Sequence, residues 1–366
     1  MNKMGFGFLR LPTVEENETK KIDFELTCKL VDSFLEKGGR YFDTAYTYLK
    51  GERETMLRET LVKRHPRDSY MIADKLPGYK VKSYEDNEKY FNEMLERCGV
   101  DRFDVFMLHW LTAGNYRIAE EMNEFGFMRD VKARGRADRI GFSYHDSPEL
   151  LDEILTAHPE TDCVLIQVNW LDWNSATLQA KQLYDVVTRH GKSVMVMEPV
   201  KGGSLAKLPD EVAEKLNAAE PDMTPAAWAL KFAQSLENVE VVLSGMNTLE
   251  QIEENMRDIE PITEAQTAVL MDAAEMLRST IAVNCTGCGY CVSHCPKKIA
   301  IPQYMALYNE YARNPGDGWK MQHVFDSIAK NNGKPSECIA CGMCEKNCPQ
   351  KLNIIETLQK LVKPFE

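Results

Sequence analysis

The feature that most constrains this 366-residue chain is a pair of cysteine runs near its C-terminus. Cys285-x2-Cys288-x2-Cys291-x3-Cys295-Pro296 is followed, after a 42-residue gap, by Cys338-x2-Cys341-x2-Cys344-x3-Cys348-Pro349. Two-residue gaps let a tight loop bring three sulfurs to three corners of an iron–sulfur cubane, leaving the fourth corner for a distant cysteine. Where two such runs share one module, the fourth cysteine of each serves the other cluster. The spacing therefore predicts one [4Fe–4S] cluster on Cys285, Cys288, Cys291 and Cys348, and a second on Cys338, Cys341, Cys344 and Cys295. Zinc also binds C-x2-C pairs. Three cysteines at this spacing, a fourth three residues on and a proline after it, all repeated, fit cubanes better.

Thiolates that hold iron must stay reduced, so a cytoplasmic setting with little oxygen is expected. Cys28, Cys98 and Cys163 lie outside the runs and read as small buried apolar side chains. No apolar run approaches the ~18 residues of a membrane span. A net charge of -12 argues against nucleic acid, which demands concentrated Lys and Arg. That charge is uneven, with +3 on residues 284–366 and -15 on residues 1–283. Two oxidised cubanes would each add about -2 to the tail and bring it near neutrality, so its charge selects no partner.

Residues 1–262 alternate short apolar runs with longer amphipathic stretches. Strands are expected at Gly5–Leu9, Tyr41–Ala45, Met71–Asp74, Val105–His109, Ile140–Ser143, Val164–Val168, Val194–Met197 and Val241–Ser244, since each run is short and rich in β-branched or aromatic residues. Helices are expected between them, among them Phe24–Lys37, Glu52–Lys63, Glu85–Arg97, Ala119–Arg134 and Pro148–Ala157. Eight repeats of strand and helix predict a parallel sheet closed as a (β/α)8 TIM barrel. A doubly wound open sheet is the alternative, but Gly5-x-Gly7 lacks the third glycine of its nucleotide turn. Residues 263–283 read as a connecting helix, and 284–366 as a mostly α-helical, ferredoxin-like dicluster domain. In that domain Pro302–Arg313 and Trp319–Asn331 have helical composition, with a turn at Asn314-Pro315-Gly316.

Barrels of this kind build their sites at the C-terminal ends of the strands. Those ends read Asp43-Thr44-Ala45-Tyr46-Thr47-Tyr48, then Asp74-Lys75, then His109-Trp110. Asp43, Tyr48, Lys75 and His109, in that order, resemble the catalytic tetrad of the aldo/keto reductase family. Ile140-Gly141-Phe142-Ser143, Ile166-Gln167-Val168-Asn169-Trp170, Ser244-Gly245 and Glu253-Glu254-Asn255 extend the similarity over roughly residues 5–260. The whole chain resembles the branch that carries a C-terminal dicluster extension.

The chemistry follows from the residue types. Hydride reduction of a carbonyl leaves an alkoxide that must be protonated as it forms. A free phenol, with a pKa about 10, is a feeble acid at neutral pH. An ammonium at Lys75 makes the Tyr48 proton easier to release, Asp43 holds that lysine, and His109 orients the substrate oxygen. Singly, each residue has an ordinary structural use: a turn aspartate, a wall tyrosine, a surface lysine, a packed histidine. Their order on three consecutive strand ends is what selects catalysis.

The resemblance further implies a nicotinamide nucleotide, NADP or NAD, contacted by Ser143, Gln167, Met197, Gly203, Ser204, Gln251, Glu254 and Asn255. Met197 stands where the family commonly stacks an aromatic ring on the nicotinamide. Gln251 stands where a basic residue often pairs with the 2′-phosphate, so NADPH preference is not implied. Lys201-Gly202-Gly203-Ser204 offers backbone N–H groups to a pyrophosphate. Aromatic residues at Tyr144, Trp170 and Trp173, with His145, are candidates for the pocket wall. Three functions remain open. They are a nicotinamide-dependent carbonyl or alcohol oxidoreductase whose clusters serve as structure or as an electron port to a redox partner such as ferredoxin or flavodoxin, a cluster-fed reductase without nicotinamide, and an electron-transfer module on a barrel scaffold.

Overall fold

The computed structural model describes residues 3–16, 19–175, 178–313, 315 and 318–366. Eight strands, β1 Met4–Gly7, β2 Tyr41–Asp43, β3 Met71–Leu76, β4 Phe103–Leu111, β5 Ala137–Tyr144, β6 Cys163–Gln167, β7 Ser193–Met197 and β8 Val239–Ser244, form a closed barrel. Every neighbouring pair is parallel, and β1 closes on β8 through Met4 opposite Val242. All eight expected strands are present, displaced at their ends by a few residues.

Side chains alternate across each strand. One set fills the barrel interior: Tyr41, Ala73, Val105, Met107, Cys163, Leu165, Met195, Val241 and Leu243. Gly141 faces this interior because there is no room for more, as a Cβ there would lie 2.3 Å from the Cys163 carbonyl oxygen. The other set packs outward on the helices, where Phe6, Phe8, Phe34 and Phe42 meet with ring centroids 5.3–6.1 Å apart.

The helices follow their local signals. Asp23 accepts from the Leu26 N–H to cap Phe24–Glu36, and Ser147 does the same for Pro148–Ala157 through the Leu150 N–H. Three elements differ from expectation. A two-stranded antiparallel pair, Thr13–Glu16 with Thr19–Ile22, follows β1. The helix expected at Ala119–Arg134 is two, Ala113–Glu121 and Glu124–Ala133, broken where Asn123 adopts φ 48°. Glu52–Leu57 continues as a π-turn over Arg58–Val62.

The chain divides into two compact units. The first comprises Met1–Asn174, Gln179–Pro199 and Ala227–Ile262; the second comprises Ser175–Leu178, Val200–Ala226 and Thr263–Glu366. Residues 200–226, expected within the barrel, thus pack with the tail. Their helix Asp210–Ala219 lies on Glu264–Thr280, with Lys215 Nζ 3.1 Å from Asp272 and the Gln266 amide donating to Glu220 at 2.7 Å. Thr263 and Gln266 close a capping box at the start of Glu264–Thr280. Beyond it, Ile301–Arg313, Gly318–Ala329 and Ile354–Phe365 enclose a core that includes Tyr304, Met305, Phe325, Leu358 and Phe365. Of the expected turn, Asn314 and Gly316 lie outside the described residues. No helix among the described residues is long and apolar enough to cross a membrane.

Candidate active site and cluster cradles

The inward rows of the barrel run up into the site. Above Tyr41 on β2 comes Asp43, above Met71 and Ala73 on β3 comes Lys75, and above Val105 and Met107 on β4 comes His109. Lys75 Nζ donates to Asp43 Oδ1 at 2.5 Å and to the Thr44 carbonyl at 2.7 Å, with both side chains almost wholly buried. The same ammonium lies 5.3 Å from the centroid of the Tyr48 ring. Tyr48 meets His109 edge-on at 5.8 Å, and His109 Nδ1 shares a hydrogen bond with Thr47 Oγ1 at 3.3 Å. All four tetrad residues therefore converge.

The backbone is bent to aim them. The β4–β5 register shifts between Leu108 and Leu111, a bulge that re-aims the intervening side chains, and Trp110 adopts φ 61°, a left-handed conformation costly for a bulky residue. Its N–H donates to Ser143 Oγ at 2.7 Å, and its carbonyl accepts from Asn115 at 2.6 Å. These bonds hold the strained turn.

Burial governs the electrostatics. His109 is held well below the usual imidazole range, by desolvation first and then by the charges of Lys75, His145 and Lys80, so it is neutral at physiological pH. Burial pushes the Asp43 carboxyl up, and Lys75 pulls it back. The Tyr48 phenol is pushed well above its ordinary value, first by burial and then by Asp43, Asp74, Tyr79 and Glu198. Burial and these anionic neighbours are the dominant influences on the phenol, with the Lys75 ammonium lying beside its ring.

Sequence reasoning missed a buried trio on the outer side of β3. Asp74 accepts from Cys98 Sγ at 3.4 Å and from the Lys75 N–H at 2.7 Å, and Glu54 accepts from Arg97 at 3.1 Å. Burial is the main cause pushing both carboxyls up, with Asp74 adding to the rise of Glu54 and Asp43 to that of Asp74. The only signal was alternation, since a residue beside inward Lys75 must face the helices.

The expected nucleotide contacts come from several elements. In the first unit, Ser143 is buried against Trp110, and Gln167 donates to Asp172 Oδ2 at 2.8 Å. Met197 ends β7 half-buried. On helix Leu249–Asn255, Gln251 Oε1 accepts from the Asn247 N–H at 2.7 Å, Asn255 donates to Ser244 Oγ at 3.3 Å, and Glu254 is half-buried. Gly203 (φ 98°) and Ser204, which donates to the Lys201 carbonyl at 2.8 Å, belong to the second unit. The hydroxyl and amide at the ends of β5 and β6 suit a neutral carboxamide. Helix Leu249–Asn255 carries no basic residue. Tyr144 and Trp170 are packing residues, at most 1% exposed, and Trp173 packs on Tyr184 and Phe232.

In the second unit the two cysteine runs fold alike. Gly287, Gly289 and Lys298 have φ 67°, 82° and 53°, and their counterparts 53 residues on, Ala340, Gly342 and Lys351, have φ 53°, 72° and 51°. Each run carries its third cysteine on a short helix, Tyr290–Ser293 or Met343–Lys346. One cavity is lined by Cys285, Cys288, Cys291 and Cys348, and another by Cys295, Cys338, Cys341 and Cys344. Burial and then the neighbouring thiols Cys288, Cys285 and Cys348 push Cys291 up to about 12. Such crowding is unfavourable for free thiolates and suits iron.

A family model described as "Aldo/keto reductase family" matches residues 3–274, and one described as "4Fe-4S dicluster domain" matches residues 284–353. An aldo-keto reductase of Mycobacterium avium is 28% identical over 236 residues, covering 64% of this chain and 77% of its own. Among solved structures, the holo form of an aldo-keto reductase from Bacillus halodurans superposes with TM-score 0.60 at 22% identity, over 74% of this chain and 91% of that one. A Klebsiella pneumoniae aldo/keto reductase in complex with NADP and acetate gives 0.58 at 18% identity, over 73% and 89%.

Proposed function

Because the chain belongs to the aldo/keto reductase family, we propose that its barrel interconverts a small-molecule carbonyl and alcohol with Tyr48 as proton donor, and that the tail links this chemistry to one-electron carriers. A bound nicotinamide would supply two electrons as hydride, and two [4Fe–4S] clusters would carry electrons singly. The observation that carries this reading is the Asp43–Lys75–Tyr48–His109 constellation on three consecutive strand ends.

Lys75 spends two of its three N–H donors on Asp43 and Thr44. The third is left for the phenolic oxygen of Tyr48, whose ring centroid lies 5.3 Å from the ammonium, as charge grows there. Neutral His109 gives an uncharged hydrogen bond that orients the substrate carbonyl without competing for the proton. The high resting value of the phenol keeps it protonated until a substrate oxygen turning into alkoxide arrives. The proton then passes from Tyr48 Oη to that oxygen, and solvent restores it. Ser143 and Gln167 would hold the nicotinamide carboxamide, while Gln251 and Glu254 favour a nucleotide without the 2′-phosphate.

Cys285, Cys288, Cys291 and Cys348 would hold one cluster and Cys295, Cys338, Cys341 and Cys344 the other, in accord with the two cavities. Cys341 is exposed beside Ile339 and Met343, which are 57% and 40% exposed, and this face suits exchange with a ferredoxin or flavodoxin. Reduced thiolates of this number fit a cytoplasmic setting. Tyr48→Phe tests the reading. It should bind NADH as the parent does, by nucleotide fluorescence, while reduction of a model aldehyde falls by about 10²–10⁴-fold. Unchanged turnover in that variant would refute the assignment.

A further inference from the structure

The two cluster cradles are near-copies, so what differs between them is informative. Lys297 in one half corresponds to Gln350 in the other, each two residues after the last cysteine of its run. Lys297 lines the Cys295, Cys338, Cys341 and Cys344 cavity and is exposed. Gln350 lines the Cys285, Cys288, Cys291 and Cys348 cavity, is 4% exposed, and its backbone N–H donates to Cys348. Its side-chain oxygen accepts at 3.2 Å from Lys201 Nζ, and Lys201 is 1% exposed. Lys201 comes from outside the duplicated segment, at the start of Lys201–Ala206, and takes φ 48° there. A left-handed lysine followed by two glycines is a strained turn, and it brings this side chain behind Gln350 in the lining of the Cys285, Cys288, Cys291 and Cys348 cavity.

We infer that Lys201 sets the reduction potential of the cluster on Cys285, Cys288, Cys291 and Cys348 above that of its twin. The inference rests on the cluster assignment proposed above. Reduction adds one negative charge to a four-thiolate cubane that is already anionic. A cation in a buried, low-dielectric wall stabilises the added electron far more than one exposed to water and salt. Lys297 is such a screened cation, and Lys201 is not. Electrons entering at the exposed Cys341 side therefore settle on the Lys201 side. Lys201 acts through the cluster environment and is a positioning residue, not a ligand.

The test is an EPR-monitored redox titration of the anaerobically purified full chain, with iron and sulfide counted in each sample. The parent protein should show two separate midpoints. Lys201→Met should lower the upper one by at least a tenfold change in reduced-to-oxidised ratio, about 59 mV for one electron, leaving the lower one in place. Lys201→Arg should restore it, and Lys297→Met should move neither midpoint comparably. Should Lys201→Met fail to load iron, Gln350→Glu keeps the lysine while compensating its charge and should lower the same midpoint. Full iron content with unmoved midpoints, or equal shifts of both, would overturn the inference. Absence of iron from the parent protein would instead remove the cluster assignment on which it stands.

Discussion

At the scale of single residues, the site is organised by one buried ion pair. Lys75 and Asp43 are removed from water together, and each makes the other tolerable there. Asp43 Oδ2 has no hydrogen-bond partner among the described residues, so the carboxylate depends on Lys75 alone among side chains. Lys75→Met should therefore destabilise the fold by about 3–5 kcal/mol, the cost of an orphaned buried charge. The double variant with Asp43→Asn should recover part of that loss in urea unfolding. Equal stability of the single and double variants would show the pair is not coupled. The tetrad was legible in the sequence because its members occupy successive strand ends at fixed offsets. The Glu54–Asp74–Cys98 trio was not, since its members come from different elements and no spacing relates them.

At the scale of elements, buried charge also leaves a pH signature. Glu124 opens the helix Glu124–Ala133, is 1% exposed, and its Oε1 has no partner among the described residues. Burial raises its carboxyl from 4.5 to about 8. The native state thus keeps a proton that the unfolded chain releases. The stability this confers is complete below pH 4.5 and is lost as pH rises through about 8. Glu124→Gln should consequently stabilise the protein at pH 9 by on the order of 3 kcal/mol, with little gain at pH 5. An equal effect at both values would contradict the titration. The elements themselves were unevenly legible. Strands such as Cys163–Gln167 announce themselves because burial on both faces demands continuous apolar residues. The pair Thr13–Glu16 and Thr19–Ile22 hid because strands so rich in charge (TVEE, TKKI) resemble loop composition. The break at Asn123 was masked by apolar residues that continue in register on both sides.

At the scale of the whole molecule, sequence alternation shows that an element exists but not what it packs on. That is why residues 200–226 read as barrel and fold with the tail. Six of the eight cluster-run cysteines line or join the helical core around Tyr304 and Leu358, among them Cys291 and Cys344. Oxidative removal of iron should accordingly raise amide hydrogen exchange in 200–226 and 263–366 while β1–β8 stay protected. Uniform loss of protection would mean the two units unfold as one. The central claim is that a hydride reaches the substrate in a site where Tyr48 supplies the proton. Its most direct measurement is turnover of a model aldehyde with nicotinamide nucleotide deuterated at C4, followed by mass spectrometry of the alcohol. The account predicts one deuterium on the carbinol carbon, formed by the parent protein and about 10²–10⁴-fold more slowly by Tyr48→Phe. Unlabelled alcohol, made with chemically reduced clusters and no nucleotide, would contradict it.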